Sequence, residues 1–194
     1  MEAFSDGVFA IAITLLVLEI GVPDDAKAHP LRALADLWPA YLAYVVSFST
    51  IGTVWFSHTV MTEYLDHATS VFIRLNLMLL ILVSFIPFPT KLLADFAGDA
   101  KAERVATTVY GINLLLTSLV LSLMWRFAVR ARLVRPDAAD EDVKMLTKRL
   151  TPGLTGYVVA IAIGLVLPNV AVLIYLLIAV FILIPFGAIL RRLT

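Results

Sequence analysis

The stretch FSDGVFAIAITLLVLEI, residues 4–20, is apolar enough to enter a membrane, yet polar side chains interrupt it. Ser5 and Asp6 stand at its start, Thr14 in its middle and Glu19 near its end. No basic region precedes it and no small-x-small cleavage pattern follows it, so we expect a retained helix rather than a cleaved signal peptide. Polar groups inside a membrane span cost free energy, so their presence indicates a structural or functional role. The stretch is therefore expected to be either a membrane anchor or the wall of a conducting path.

Composition places the whole chain in a membrane. Of its 194 residues, 61% are hydrophobic and 15% are charged, and the mean hydropathy is +0.94. Soluble domains are nearer half apolar and a quarter charged. The formal net charge is zero, which points to neither a nucleic acid nor an acidic partner. The absence of cysteine from the sequence excludes disulfides, thiolate metal sites and cysteine nucleophiles.

Apolar segments long enough to cross a bilayer recur along the chain, since a span needs about 20 mostly apolar residues. Between the last two of them, Leu-Pro-Asn at 167–169 indicates a tight turn. The segments follow one another too closely to leave room for a soluble domain. We therefore predict an all-α membrane protein, 1–194 as one domain, with six transmembrane helices at roughly 4–22, 33–61, 69–94, 104–130, 152–167 and 170–190.

The distribution of lysine and arginine predicts the orientation. The segment 126–149 is rich in both, and Arg191 and Arg192 lie near the end of the chain. Two spans separate these regions, so they share one side, and basic loops are typically cytoplasmic. Both termini are then cytoplasmic. The loops follow: 62–68 is expected to be cytoplasmic, and 23–31 and 95–103 are expected to be external.

Two kinds of flanking residue have ordinary interpretations. The acidic run 137–142 leads into the basic end of the cytoplasmic segment, and we expect a solvated helix or linker there, with a regulatory or lipid-contacting role as the alternative. Trp38, Tyr41 and Trp125 lie near the ends of spans and suit interfacial aromatic belts.

Polar side chains from the first three spans should meet at one depth. Span one leaves the cytoplasm at Phe4, span two returns to it near His58, and span three rises again from about residue 69. The shared depth predicts a buried polar network that ties three helices together, because a buried carboxylate needs partners. For Ser5 and Asp6 alone, a helix N-cap is the alternative role. The predicted members are Ser5, Asp6, Trp55, His58 and Asn76, with Arg74 as a further candidate.

Span one also carries an aliphatic stripe. At 100° per residue, Ile11, Leu15 and Leu18 fall on one narrow face, Thr14 lies beside it, and Asp6 projects to nearly the opposite side. Such a stripe could line a pore. It could equally face lipid or pack on another helix, and periodicity alone favours this second interpretation.

The motifs of the first half resemble one channel family. Phe-Ser-Asp at 4–6, TVWFSHTVM at 53–61 and RLNLMLLILVSFIPFPTKLL at 74–93 occur in the order typical of the bacterial branch of the endosomal/lysosomal potassium channel (transmembrane protein 175) family. The resemblance is specific over about the first 93 residues. Over the rest it depends on hydropathy.

The resemblance implies a homotetramer of six-span subunits that conducts potassium, with a modest preference over sodium and no pore loop. It implies that the first helix lines the pore, with Ile11, Leu15 and Leu18 as a hydrophobic constriction and Thr14 as a polar neighbour. It also implies that the Ser-Asp pair joins the Trp, His and Asn of spans two and three behind the pore. Potassium ions in the pore are the only metal expected, and no cofactor is expected.

One departure from the family pattern concerns its usual arginine a few residues before Phe-Ser-Asp. No arginine precedes Phe4 here. Either the start is truncated or the network lacks that cation, and Arg74 is a candidate substitute. The run TVYG at 108–111 echoes a potassium-filter sequence, but it lies inside a continuous apolar span, whereas a carbonyl filter needs exposed backbone. We interpret it as a chance match.

Other functions find less support. A secondary transporter or proton-coupled exchanger could use Asp6, His58 and Glu19, but neither an internal repeat nor a matched pair of broken helices is visible in the sequence. An enzyme is not expected, because we find no nucleophile–base constellation and no phosphate loop. His67 with Asp66 and Glu63 forms only a loop cluster of low specificity for metal.

Overall fold

The computed structural model describes residues 1–22, 29–150 and 152–193, and it describes the backbone alone at 140, 142, 148–150, 152–153 and 184–193. Over these residues the chain forms α-helices joined by short connections, with one 3₁₀ turn directly after the first helix. The elements are α1 Glu2–Leu15, the 3₁₀ turn Leu16–Glu19, α2 Pro30–Asp36, α3 Trp38–Glu63, α4 Ser70–Phe85, α5 Pro87–Asp95, α6 Ala100–Arg130, α7 Asp140–Leu150, α8 Pro152–Gly164 and α9 Pro168–Leu193.

The prediction of an all-α fold is confirmed. Within the described ranges no strand forms, and the only β-type pairing is an isolated antiparallel bridge between Leu65 and Val134. Two backbone hydrogen bonds support it, from Asp66 N to Leu133 O at 2.9 Å and from Arg135 N to Tyr64 O at 2.9 Å. The bridge ties the connection after α3 to the connection after α6.

Proline and capping residues explain where several helices begin. Pro30, Pro39 and Pro87 occupy the first or second position of α2, α3 and α5, where the missing N–H is not needed. Asp99 caps α6 by accepting hydrogen bonds from the backbone N–H groups of Ala102 and Lys101. These bonds hold the pKa of its carboxyl below the ordinary range.

The predicted span 33–61 starts too early, whereas the predicted span 69–94 matches the apolar segment Ser70–Asp95 but is interrupted. The segment 33–61 is not one helix, because α2 ends at Asp36 and α3 starts afresh at Trp38. The segment 69–94 is divided at Pro87, which separates α4 from α5. Of the described helices, α3, the α4–α5 pair and α6 are long and apolar enough to cross a membrane, and two shorter apolar helices lie at Leu154–Gly164 and Pro168–Leu183. The six-span count stays a prediction.

Helix α6 is longer than a bilayer needs. Its 31 residues span about 46 Å at 1.5 Å per residue, against a hydrocarbon core of about 30 Å. Trp125 lies in its last third and is buried, not in an aromatic belt as predicted. Its ring packs edge-on against Tyr64, and its Nε1–H donates to Thr147 Oγ1 of α7 at 2.8 Å. The end of α6 is therefore covered by the segment that follows it.

The acidic run 137–142, predicted to be solvated, leads into α7, and its described side chains are exposed or half-buried. Residues on either side of the run are packed. Leu133 and Leu146 are buried, whereas the charged side chains that the structure describes between residues 132 and 144 are exposed. Trp38 and Tyr41, by contrast, are exposed, as an aromatic belt requires. The loop residues 23–28 and the side chains of Lys148, Arg149, Arg191 and Arg192, which entered the orientation argument, lie outside the described residues.

The helices pack around one core. Helix α1 rests on α3 and α4, α6 contacts α4, α5 and α8, and α9 lies against α3 and α8. At the contact of α6 with α8 and α9, a β-carbon added at Gly111 would overlap the Tyr175 hydroxyl. The predicted rejection of TVYG as a filter agrees with this geometry, since residues 108–111 lie within continuous α6 and Tyr110 is buried.

Candidate functional site

Helix α1 has one packed face and one uncovered face. The packed face contains the fully buried side chains of Ser5, Phe9, Ala12 and Leu16, spaced one or two turns apart. They contact α3 and α4 of the same subunit. At 100° per residue this face lies about a third of a turn from the aliphatic stripe. One face of α1 is thus packed against α3 and α4, and the face that carries the stripe is not.

The stripe itself is exposed in this chain. The relative exposure is 61% for Ile11, 40% for Leu15 and 73% for Leu18. Three aliphatic side chains aligned over two turns are more apolar surface than a lone exposed residue, and contiguous apolar patches mark interaction sites or lipid contact. Thr14 is also exposed, and its hydroxyl donates to the carbonyls of Ala10 and Ile11 at 3.0 Å. Its polarity is therefore largely satisfied within the helix.

Phe4 extends the stripe, and sequence reasoning missed it. It lies seven residues before Ile11, hence on nearly the same face, and it is 62% exposed. The signal was available, because the spacing of seven that joins Ile11 to Leu18 also joins Phe4 to Ile11.

Behind α1, Asn76 of α4 joins two other helices. Its Nδ2–H donates to Ser5 Oγ of α1 at 2.9 Å, and its Oδ1 accepts from His58 Nε2 of α3 at 2.8 Å. All three side chains are buried. Within the described residues His58 Nδ1 has no hydrogen-bond partner, and the His58 ring lies 5.7 Å from that of Phe9. This chain of hydrogen bonds holds three helices at one level.

Asp6 and Trp55 form a separate pair. Trp55 Nε1–H donates to Asp6 Oδ1 at 2.9 Å, and both side chains lie at the surface of the subunit. The prediction of a single buried network is thus wrong for these two residues, which face outward beside the buried chain. The N-cap alternative is also wrong, because α1 begins at Glu2 and its cap position is Met1. Ser5 Oγ instead donates to the Met1 carbonyl at 3.3 Å.

Arg74 does not join the network. Its side chain is exposed on α4, and within the described part of the chain it forms neither an ion pair nor a hydrogen bond to any of the predicted members. Arg74 lies two positions from Asn76, so a helix of 100° per residue turns its side chain about 200° away. The position of Arg74 along α4 is close to that of Asn76, but its direction about the helix axis is different.

At the other end of α1, Glu19 contacts α5. Lys91 Nζ lies 3.4 Å from Glu19 Oε2, and the Glu19 side chain is mostly covered. The contact joins the 3₁₀ turn to the helix that follows Ile86. Glu19 therefore makes a contact between helices. The geometry places a neutral ion pair, rather than a free carboxylate, at this end.

The described residues contain no group of three or more His, Asp or Glu side chains that could hold a metal ion. His67 Nδ1 contacts Asp66 Oδ2 at 3.0 Å on the surface, without Glu63. In this chain, α1 has hydrogen bonds and packing contacts on one side and an uncovered aliphatic surface on the other.

The sequence is similar to members of a known channel family. The family described as endosomal/lysosomal potassium channel TMEM175 matches residues 1–87. A protein named potassium channel from Chamaesiphon minutus is 42% identical over 86% of this chain and 83% of its own length, and one from Streptomyces collinus is 36% identical over 86% and 82%. The human endosomal/lysosomal proton channel TMEM175 is 35% identical over 66% of this chain and 27% of its own length.

Solved structures agree in fold. The crystal structure of a lysosomal potassium-selective channel TMEM175 homolog from Chamaesiphon minutus has a TM-score of 0.86 at 36% identity and covers 95% of each chain. A second crystal structure, of a variant of the potassium channel MtTMEM175 in complex with a nanobody fusion protein, has a TM-score of 0.66 at 23% identity. It covers 98% of this chain and 92% of its own, and it supports the fold alone.

Proposed function

The chain belongs to the TMEM175 family of potassium channels, and from this premise we propose that it forms a potassium-permeable cation channel whose pore is lined by α1. The protein is a membrane channel and not an enzyme. Permeation of potassium rests on the names of its bacterial relatives and on the potassium-selective homolog of the same fold. Which residues form the pore is our inference from the geometry of α1.

The exposed stripe carries this assignment. Phe9 and Leu16 already pack α1 onto its own subunit, so the stripe of Ile11, Leu15 and Leu18 must meet something else. One stripe cannot enclose a path for ions by itself. A symmetric ring of subunits can, because rotation about an axis brings the same stripe to the centre from every copy. We propose a homotetramer, as the family resemblance implies.

A ring of aliphatic side chains controls ions through hydration. Such a constriction dewets easily, which raises the barrier for any ion that must keep its water. Ile11 is proposed as the narrowest point, with Leu15 and Leu18 continuing the constriction and Thr14 beside it. The ring supplies no ligands to replace lost water, so discrimination depends on how readily each ion sheds its hydration shell. Potassium is the larger and more weakly hydrated ion, and we expect a modest preference for it over sodium.

The polar side chains behind α1 are proposed to hold the stripe in place. The bonds from Asn76 to Ser5 and His58 lock the level of α1 against α3 and α4. The bond from Trp55 to Asp6 fixes its rotation from the surface side. A hydrogen bond is directional, so these contacts define both the height and the rotation of α1, which apolar packing alone defines less sharply.

The proposed setting is the plasma membrane of a bacterium, with several crossings and both termini cytoplasmic. The basic segment after α6 and the basic C-terminal end support this orientation through the positive-inside rule. In this orientation the stripe runs outward from Ile11 to Leu18, and the Glu19–Lys91 pair lies at the external mouth.

The test is ion flux and single-channel current in liposomes. The wild type should give currents whose reversal potential follows the potassium gradient, whereas an electroneutral exchanger would give none. Ile11→Ala should widen the ring, raise conductance and weaken potassium preference. Thr14→Ala should change conductance less, because Thr14 lies about 60° off the stripe.

Leu177 provides the matched control. It is 65% exposed on α9, and Leu177→Ala removes a similar aliphatic volume without touching α1. Conductance and selectivity should be unchanged in this variant. If Ile11, Leu15 and Leu18 can all become alanine with current and selectivity intact, α1 does not line the pore.

A further inference from the structure

A small cavity inside each subunit is lined by hydroxyl groups. It lies between α3, α6, α8 and α9, and water-sized molecules can occupy ≈ 30 Å³ of it. Apolar side chains close the remaining walls. The hydroxyl-bearing residues, together called the hydroxyl cavity below, are Thr50, Thr53 and Ser57 of α3, Thr117 and Ser118 of α6, and Tyr157 of α8.

Two of these hydroxyls need a partner. Tyr157 is buried, with a relative exposure of 4%, yet its hydroxyl forms no hydrogen bond with any residue that the structure describes. Ser118 is half-buried, and its hydroxyl likewise bonds none of the described groups. In the interior of a membrane bundle an unsatisfied polar group costs free energy, because no bulk water is present to form the missing hydrogen bond.

Other hydroxyl groups of the cavity can act as acceptors. Thr50 and Ser57 donate their hydroxyl protons to the carbonyls of Val46 and Thr53, both at 2.8 Å. Thr117 donates to the carbonyl of Asn113 at 2.8 Å. A hydroxyl oxygen has two lone pairs, so each of these side chains can still accept a hydrogen bond from the cavity. The hydroxyl cavity therefore has two donors without a protein acceptor and several oxygens that can still accept, and no hydrogen bond among the described residues joins the two groups.

We propose that the hydroxyl cavity is a binding site for ordered water. A water molecule needs about 10–15 Å³ of such volume and two to four polar partners, so the cavity holds about two. Water can accept from Tyr157 and Ser118 and donate to the threonine and serine oxygens of α3 and α6. A bound potassium ion would leave the two donors without an acceptor, and the volume is too small for a lipid chain.

The consequence is a hydrated contact inside the subunit and apart from α1. Water would join α3, α6 and α8 where their side chains do not reach one another directly. The proposed pore remains formed by α1, so this site does not depend on the pore assignment.

The first test compares two buried tyrosines of the unmodified protein. Hydroxyl radicals produced by X-rays from bound water modify side chains that touch that water, even where bulk solvent does not reach. Tyr157 should be modified several times faster than Tyr110, which is fully buried and shares a hydrogen bond with Ser47 at 3.0 Å. Equal rates for the two tyrosines would overturn the proposal. Thr117→Val, which removes one acceptor at nearly constant volume, should lower the Tyr157 rate.

The second test uses the sign of a stability change. If water satisfies the Tyr157 hydroxyl, Tyr157→Phe should lower the thermal midpoint of the assembled protein, because a hydrogen bond is lost. If the hydroxyl is unsatisfied, the same change should raise the midpoint, because a buried orphan group is removed. Tyr175→Phe is the control, since the Tyr175 hydroxyl donates to the Thr107 carbonyl at 3.3 Å and its loss should lower the midpoint in either case. A raised midpoint for Tyr157→Phe would refute the proposal.

Discussion

Replacing Asn76 by leucine tests whether hydrogen bonding or apolar packing holds α1 in place. The change keeps the side-chain size and removes the bonds to Ser5 at 2.9 Å and to His58 at 2.8 Å. Each bond contributes about 1 kcal/mol net, and a buried group left without its partner costs about 1–3 kcal/mol more. Ser5 keeps its bond to the Met1 carbonyl, so the penalty falls mainly on His58. Asn76→Leu should therefore destabilise the protein by about 3–5 kcal/mol.

The assay is thermal unfolding of the purified assembly, followed by size-exclusion chromatography. For a chain of this size, 1 kcal/mol corresponds to roughly 2–4 °C, so the midpoint should fall by about 10 °C. Asn169→Leu is the control, because Asn169 is exposed at the start of α9 and the same chemical change should leave the midpoint nearly unchanged. Surviving Asn76→Leu channels should retain potassium preference. An unchanged midpoint, or a normal midpoint with altered selectivity, would refute the reasoning.

Three other perturbations follow from single contacts. Lys91→Gln should leave the Glu19 carboxylate at the proposed external mouth without its cation and so raise single-channel conductance in dilute salt. The difference from the wild type should vanish near 1 M salt, where charges are screened within about 3 Å; a difference that does not depend on ionic strength would show that Glu19 does not lie at the mouth. Gly111→Ala should sharply reduce the yield of folded protein, since its methyl overlaps the Tyr175 hydroxyl, and a normal thermal midpoint would contradict the packing of α6 on α9. Trp125→Phe should cost about 1 kcal/mol through the lost hydrogen bond to α7, measured as a lower midpoint with unchanged conductance.

Periodicity predicted the stripe on α1 because it depends only on the geometry of one helix. Ile11 and Leu15 share a face whatever surrounds them. The depth argument likewise brought His58 and Asn76 to one level, since depth follows from residue count along spans of known length. Both inferences need no knowledge of how the helices pack.

Rotation and packing could not be predicted in this way. Depth alone did not show that Arg74 turns away from Asn76, although the angle between them was calculable. Trp125 looked like a belt residue because it is aromatic and near the end of a span. Its burial depends on the excess length of α6 and on the fold of the segment after it, which no local pattern in α6 encodes.

The 3₁₀ turn at the end of α1 makes the direction of Leu18 depend on hydrogen-bond pattern. Three residues per turn place Leu18 directly above Leu15, whereas α-helical geometry would rotate it by about 20° for each residue of the turn. The rise is also larger, about 2.0 Å per residue against 1.5 Å. Rewinding the turn would thus shorten the outer end of the helix and swing Leu18 sideways, while Ile11 stays where Phe9 and Ala12 anchor it. The outer and inner parts of the stripe are in this sense mechanically independent.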